Sequence, residues 1–415
     1  MDQNRYAVGV DVGTGSVRVV MLAVPAGGAD EGAPLTIIGV GQQPSEGLRK
    51  GVVTDVNLAA RSIDRAVAEA EQVSGNNVDA ATVSINGTNI TGMQSHGTVT
   101  VSQDTPIGEA EINRVVQAAT QVKLQSNYEI IDVTPHLFSV DGQDGVRDPI
   151  GMTGIRFETD VYMVTAQTPY IKSLDLVTER ADVHPIKSYV PAGMAAALVA
   201  LTNKQKENGV VAIDIGYATT NIAVYEEGDI VDIKVIPVGS QNITADLATG
   251  LRCDLDVAEQ IKIKHAVASP DLRRGGEKTV SVSMGEGAPR QTYQTKIIDE
   301  IVASRVDELL EQVNKELKRI HRANNLPGGA VLTGGGANLK GIDDFAREVL
   351  GLNTKVYRPH GYHGIADKVN DPAWATALGL AQLSIEGGIW TEDAEPSRGG
   401  LSGLFAKIGG LFGGH

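Results

Sequence analysis

Cysteine is all but missing from this 415-residue chain, with Cys253 standing alone. One thiol cannot close a disulfide within the chain, so a reducing compartment is the expected setting. Positive charge is also short: 36 Lys and Arg against 51 Asp and Glu, a net charge of −15. That balance argues against a general nucleic-acid binder, which needs a basic face. No run approaches the roughly 20 apolar residues that span a bilayer. The first residues lead into a strand-like stretch without the apolar core of a secretion signal, so a cytosolic location is expected. The histidines show no metal-site spacing with cysteine or carboxylates, and no zinc site is expected.

What the chain does contain, besides bulk enough for two to four packed units, is a duplication. Residues 8–22 align without a gap with residues 211–225. Each copy runs from β-branched residues into an Asp (Asp11 or Asp214), then a Gly-containing turn with small hydroxyl residues, then a second β-branched run. This is a hairpin signature, and the glycines let backbone N–H groups approach a ligand. Two such hairpins facing each other would cradle one polyphosphate, with Asp11 and Asp214 beside its metal ion. The repeat locates a cleft before the fold is known.

A helix is expected over 57–73, where Leu58, Ala59, Ile63, Ala66, Val67 and Ala70 recur at helical spacing. From 81 the texture turns strand-rich, with a helix over 109–123 opened by acidic residues that suit its positive end. More strands follow from 128 to 164, and the block reads as an inserted unit. Beyond 240 come a helical region with Glu259 and Lys262, a Gly-rich stretch at 275–289 and a long helix over 296–322. The apolar stripe of that helix is Ile297, Ile298, Ile301, Val302, Val306, Leu309, Leu310, Val313, Leu317 and Ile320. After Pro327 an apolar strand runs into Gly334, Gly335 and Gly336. Alone, such a cluster is more often a tight turn than a ligand contact; after two Asp hairpins it belongs to a constellation. Strands interleaved with helices argue for duplicated α/β layers.

In this order the three turns resemble those of the actin, sugar-kinase and Hsp70 superfamily, and the likeness narrows to the bacterial cell-division FtsA family. Residues 83–90 and 140–156 resemble that family's subdomain 1C, which takes the place of actin's 1B. Residues 236–239, 259–265 and the C-terminal tail agree. The resemblance implies an actin-like two-lobe α/β fold with duplicated ribonuclease-H-like subdomains, an inserted α+β subdomain 1C and a C-terminal amphipathic helix. The implied divisions are 1–80 (first part of 1A), 81–165 (1C), 166–208 (second part of 1A) and 209–240 (first part of 2A). They continue with 241–295 (2B), 296–365 (second part of 2A), 366–390 (return to 1A), 391–400 (flexible linker) and 401–415 (membrane-targeting helix).

The resemblance implies ATP and Mg²⁺ as ligands. Phosphates would be held by Asp11, Gly13, Thr14, Gly15 and Ser16 and by Asp214, Gly216, Tyr217, Ala218, Thr219 and Thr220. The nucleoside would meet Glu259, Lys262, Gly334, Gly335, Gly336 and Asn338, and Asp11 and Asp214 would hold Mg²⁺ through water. Read without the resemblance, Glu259 and Lys262 are an ordinary solvated pair one turn apart. Tyr217 and Ala218 stand where family loops often carry two glycines, leaving Tyr217 either over the phosphates or turned outward. Ala192 occupies the place of the Glu that orients water in relatives that hydrolyse ATP well. No catalytic residue is assigned, and slow or absent turnover is expected.

After the polar linker, Leu401, Leu404, Phe405, Ile408, Leu411 and Phe412 form one helical stripe. A short Gly-interrupted segment is a poor helix in water and a better one in a lipid interface; folding back onto the chain or into a partner groove is the other reading. The resemblance also implies that Arg290, Arg305 and Glu308 help receive the C-terminal peptide of the tubulin-like FtsZ. Arg273, Arg274, Arg290 and Lys296 make that neighbourhood basic, as an acidic peptide requires, although Arg305 and Glu308 alone read as a plain i,i+3 pair. The expectation is an ATP-binding, polymerising protein that tethers FtsZ filaments to the cytoplasmic face of the membrane at the division site. Other division proteins would dock through 1C, and no nucleic acid would bind. The alternatives are an active kinase of the same fold, which needs a catalytic carboxylate, and a PilM-type pilus-assembly adaptor, which the tail counts against.

Overall fold

The computed structural model describes residues 5–386 apart from 25–33, 187–188, 270, 272–275, 277 and 284–289. Two lobes carry the duplicated hairpins. In the first, Tyr6–Val12 pairs antiparallel with Ser16–Ala23, which pairs with Thr36–Pro44; Ala80–Ile85 lies parallel on the other side of Tyr6–Val12. In the second, Val210–Ile215, Thr220–Glu226 and Asp229–Ile236 repeat the antiparallel set, and Gly329–Thr333 and Thr354–Val356 supply the parallel side. The registers match as well, Asp11 opposite Arg18 and Asp214 opposite Asn221. The β-branched runs explain these strands: Val8, Val10, Val19 and Val20, and Val211, Ile213, Ile222 and Val224, are buried.

Helices cover the sheets. Val56–Ser74, close to the expected 57–73, starts where the Asp55 carboxylate accepts from the Asn57 and Leu58 amides and stops at Gly75 in the left-handed region. Its Ala59, Ile63, Ala66, Val67 and Ala70 face the core. Between the lobes, Ala192–Ala200 lies against Ala375–Glu386 so closely that a Cβ at Gly379 would sit 1.9 Å from the Ala195 carbonyl oxygen.

The insert has its own four-stranded sheet, ordered Ile90–Thr100, Arg156–Gln167, Tyr128–Val140, Gln143–Val146, with Glu109–Thr120 packed on one face. Its core includes Ile112, Val116, Phe138 and Phe157, the two rings stacked with centroids 5.5 Å apart. Sequence texture places its start at 81, but Ala80–Ile85 belongs to the first-lobe sheet, with Gly9 opposite Thr82 and Val10 opposite Val83. That strand is buried on both faces and lacks the alternation that separates a lobe strand from an insert strand. The insert's own sheet begins at Ile90.

Other boundaries move for local reasons. The helix expected over 109–123 ends at Thr120, where Gln121 leaves helical geometry. The long helix is Thr295–Arg319, ended by Ile320 and then by His321 at φ 58°. Ile297, placed in its apolar stripe by spacing, is 40% exposed. The return to the first lobe precedes 366, because His363–Gly364 already pairs with Thr36–Pro44. The linker at 391–400 and the amphipathic segment at 401–415 lie outside the described residues.

Candidate functional site

The hairpin turns of the two lobes meet beside a cavity of about 1210 Å³ that both border. Asp11 and Asp214, each 8% exposed, line it from opposite lobes. Ser84 Oγ donates to Asp11 Oδ1 at 3.1 Å while accepting from the Val12 amide at 2.9 Å. Asn221 Nδ2 donates to Asp214 Oδ2 at 2.8 Å. Burial pushes both carboxyls up. At Asp11 this is opposed by Arg18 and then by the Ser84 hydrogen bond. Asp214 rises to about 6, opposed by Asn221 and Arg18 and raised further by Asp11.

Arg18 was not marked by the sequence motifs, although it is the ladder partner of Asp11. Its guanidinium reaches the cavity wall, 5.8 Å from the centre of the Trp374 ring, with Asp11, Asp371 and Asp214 as its charge neighbours. Its Nε is buried with no hydrogen-bond partner among the described residues. Burial lowers its pKa and the three carboxylates pull it back; an arginine there keeps its charge. The signal that could have found it was the comparison of the two hairpins, since the second carries Asn221 at the same place.

The two turns touch. A Cβ on Gly15 would lie 2.7 Å from Tyr217 Cβ, so the first turn must be bare where the second brings an aromatic ring. Tyr217 is 44% exposed and lines the cavity. Asn86 Nδ2 donates to Thr219 Oγ1 at 3.2 Å across the lobes, and Thr14 Oγ1 accepts from the Gly51 amide at 2.8 Å. Gly13, Thr14, Gly15 and Ser16, with Gly216, Tyr217, Ala218 and Thr219, all border the cavity. Thr220 does not: it is fully buried, and its hydroxyl donates to the Val238 carbonyl at 2.8 Å. It fixes the turn to the connection between strand Asp229–Ile236 and helix Ser240–Leu251.

On the far wall, helix Leu255–His265 presents Glu259 and Lys262. Lys262 Nζ reaches Glu259 Oε2 at 2.8 Å, Thr244 Oγ1 at 2.9 Å and the Ser240 carbonyl at 3.3 Å. The pair is held toward the cavity by helix Ser240–Leu251 rather than solvated. Gly334 sits at φ 81°, where a Cβ would lie 2.3 Å from Asp214 Oδ1; only glycine fits there. The Gly334 amide and Thr333 hydroxyl both donate to the Pro372 carbonyl, at 3.1 and 2.9 Å. Asn338 Nδ2 donates to both oxygens of Asp371, at 2.9 and 3.0 Å. Gly334, Gly335, Gly336 and Asn338 all line the cavity.

Facing carboxylates, two turns that present backbone to the cavity and one half-buried cation suit a polyphosphate with a divalent ion. The cavity exceeds the roughly 300–1,000 Å³ of usual ligand pockets. Ala192, at the start of Ala192–Ala200, forms part of the wall and offers no group to water.

Of the residues expected to bind a peptide partner, Arg290 opens strand Arg290–Gln294. Arg305 is not a loose surface pair: Nε reaches Asp246 Oδ2 at 2.5 Å, Nη2 reaches Oδ1 at 3.1 Å, and Nη1 pairs with Glu308. It ties Thr295–Arg319 to Ser240–Leu251. Arg273 and Arg274, and the stripe Leu401, Leu404, Phe405, Ile408, Leu411 and Phe412, lie outside the described residues. Among the described residues no helix is long and apolar enough to cross a membrane.

Two family models match. The one described as cell division protein FtsA covers residues 211–379, and the one described as the SHS2 domain inserted in FTSA covers residues 87–165. The cell division protein FtsA of Pseudomonas aeruginosa is 33% identical over 386 residues, 93% of this chain and 91% of that protein. That of Bacillus subtilis is 35% identical over 385 residues, 92% of this chain and 84% of that protein. Among solved structures, the PilM–PilN type IV pilus biogenesis complex matches with TM-score 0.63 at 16% identity, covering 91% of this chain and 98% of that one. MreB5 of Spiroplasma citri bound to ADP matches with TM-score 0.52 at 13% identity, covering 90% and 94%. At such identities these structures establish the actin-like fold and nothing finer.

Proposed function

The chain belongs to the family of the cell division protein FtsA, and from that premise we propose that it binds Mg·ATP between its lobes, polymerises, and tethers FtsZ filaments to the membrane. The observation that carries the nucleotide reading is the facing pair Asp11 and Asp214, each buried beside a hairpin turn, with Arg18 on the cavity wall. In this reading the two carboxylates hold Mg²⁺ through water. The amides of residues 13–16 and 217–219 take phosphate oxygens, the Gly216 amide being engaged by the Thr219 carbonyl at 2.9 Å, and Arg18 adds the positive charge. Glu259 and Lys262 face the ribose, and Gly334, Gly335, Gly336 and Asn338 the base.

With Ala192 on the wall, no side chain there accepts a proton from water, so turnover is slow. An active kinase would need a carboxylate at that point. The likeness to PilM is one of fold, whereas the curated relatives over nearly the whole chain are FtsA. Residues 401–415 are the proposed anchor. Their apolar stripe enters the lipid interface of the cytoplasmic face, and polymerisation adds avidity by presenting many tails at once. Arg290, with the helix that Arg305 and Glu308 help fix, is the proposed seat of the acidic FtsZ peptide. The insert meets other division proteins and neighbouring copies.

The test is co-sedimentation of the full chain with anionic phospholipid vesicles, with and without Mg·ATP, beside a variant lacking residues 398–415. Binding is expected for the full chain, stronger with Mg·ATP, and absent from the truncated one. Equal sedimentation of both chains would remove the anchor from the tail.

A further inference from the structure

The insert is joined to the first lobe by chain, yet its base is buried against the second. Ile131, Tyr162 and Val164 share one apolar cluster with Ala223, Ile230 and Ile233. The second-lobe strand Asp229–Ile236 is the edge of its sheet and lies beside the insert's edge strand Ile90–Thr100. An edge strand carries backbone groups without ladder partners, and here the insert's side chains supply them. The Ile233 amide donates to Tyr162 Oη at 2.8 Å, and His136 Nε2 lies 3.0 Å from the Ile230 carbonyl, as its donor. At the turn before that strand, Arg147 Nη2 donates to Glu207 Oε1 and to the Glu227 carbonyl, each at 3.0 Å.

We propose that the insert is a latch between the lobes, and that Tyr162, His136 and Arg147 hold the arrangement in which the two phosphate turns meet. In the latched structure Gly15 lies against Tyr217 and Asn86 reaches Thr219 across the cleft. Parting the lobes carries Ile230 and Ile233 away with the second lobe, while the chain at Ile85 and Gln167 keeps the insert with the first. The latch contacts must break or the insert must turn. Cleft occupancy and insert position are therefore coupled, and coupling is reciprocal: a partner that turns the insert changes nucleotide affinity by the factor by which nucleotide changes the partner's.

The coupling rests on the nucleotide reading above; the latch itself does not. Tyr162→Phe keeps the ring and removes the oxygen, leaving the Ile233 amide unpaired. Calorimetric titration with Mg·ATP should find it about tenfold weaker than the parent, within the range of one buried donor left without a partner. Arg147→Glu, an exposed pair, should weaken binding about two- to fivefold, and Arg147→Glu/Glu207→Arg should regain it. Thermal melts check that each variant is folded. Unchanged affinity in folded Tyr162→Phe and Arg147→Glu would overturn the coupling.

If the parent takes no nucleotide, the proposed function fails and the latch is still read directly. Spin labels at Val73→Cys and Leu255→Cys, both exposed positions, in a Cys253→Ser background report the interlobe distance in nucleotide-free protein. The parent should give one narrow distribution, and Tyr162→Phe a broader one extending to longer distances. Identical distributions would contradict the latch.

Discussion

The two hairpins share a backbone and differ in what surrounds it. Asp11 has a cation opposite it on the ladder, and Asp214 has an amide. The first turn is stripped to Gly15, and the second brings Tyr217 against it. Duplicated halves have thus divided the work: the first lobe supplies charge and yields space, while the second supplies the ring that fills it, and burial pushes both carboxyls up. A cleft between two identical halves would have neither the half-buried cation nor the interlocking turns.

The largest expected effect concerns what neither half supplies. No hairpin residue, and nothing at Ala192, is placed as a base, and general-base assistance is worth about 10²–10⁴-fold. Steady-state phosphate release should fall well below the roughly 1–10³ per second of ordinary enzymes; ordinary turnover would revive the kinase alternative.

Next is the interlock. Gly15→Ala pushes a methyl into Tyr217 and should cost about 1–3 kcal/mol, as overpacking does. Tyr217→Gly should relieve it, so a double-mutant cycle read by denaturant unfolding should show strong positive coupling. Simple additivity would mean that the turns do not touch in solution.

The third is read through pH. Asp214 holds its proton up to about 6, above its ordinary 3.8, because burial disfavours the charge. The folded state binds this proton more tightly than the unfolded one. The group's stabilising contribution is therefore complete below 3.8 and is lost as pH rises through about 6, a loss of order 1–3 kcal/mol. Mg·ATP needs the ionised form, so its affinity should fall on acidification below pH 6, with proton release on binding near that pH. Asp214→Asn should remove its share of this pH dependence, and Arg18→Asn should enlarge what remains, because Arg18 opposes the rise at Asp11.

Much of this was legible in the chain. The duplication reads directly because β-branched runs, an Asp and a Gly turn are local signals that sit at matching registers in both lobes. The triple-glycine turn fell on the cavity wall for the same reason, whereas Glu259 and Lys262, a plain solvated pair by spacing, were marked only by the family resemblance. Arg18 escaped because its surroundings, Asp371 and Trp374, arrive from the far end of the chain. Thr220 was a phosphate contact by the family resemblance, yet its hydroxyl turns to Val238. The latch was equally hidden: Tyr162 and Ile233 are 71 residues apart, and no pattern in either announces the other. Ile297 shows the limit of periodicity: the first turn packs through Thr295, Ile298 and Asp299, and Ile297 falls on the flank of that buried face.

The smallest effect comes from a site outside both halves. On the insert, His96 is held by Asp160 at 2.9 Å and Glu158 at 3.1 Å, and the Asp160 hydrogen bond leads in raising its pKa. Its stabilising contribution is full below the ordinary histidine value of 6.5 and fades as pH rises through the raised one. Largely exposed and screened, it is worth under about 1 kcal/mol. His96→Gln should flatten that part of the stability profile and leave nucleotide affinity alone; a changed affinity would extend the cleft's influence to the insert's outer face.

The central claim, that the paired hairpins form one nucleotide site, is tested most directly by calorimetric titration of Mg·ATP into the parent and into Asp214→Ala. The account predicts a single site in the parent, weakened about 10- to 100-fold or lost in the variant, as removal of a charged partner implies. The melting temperature should be unchanged or higher, because the substitution removes a buried acid. Equal affinity in the folded variant would contradict the account and place the nucleotide elsewhere.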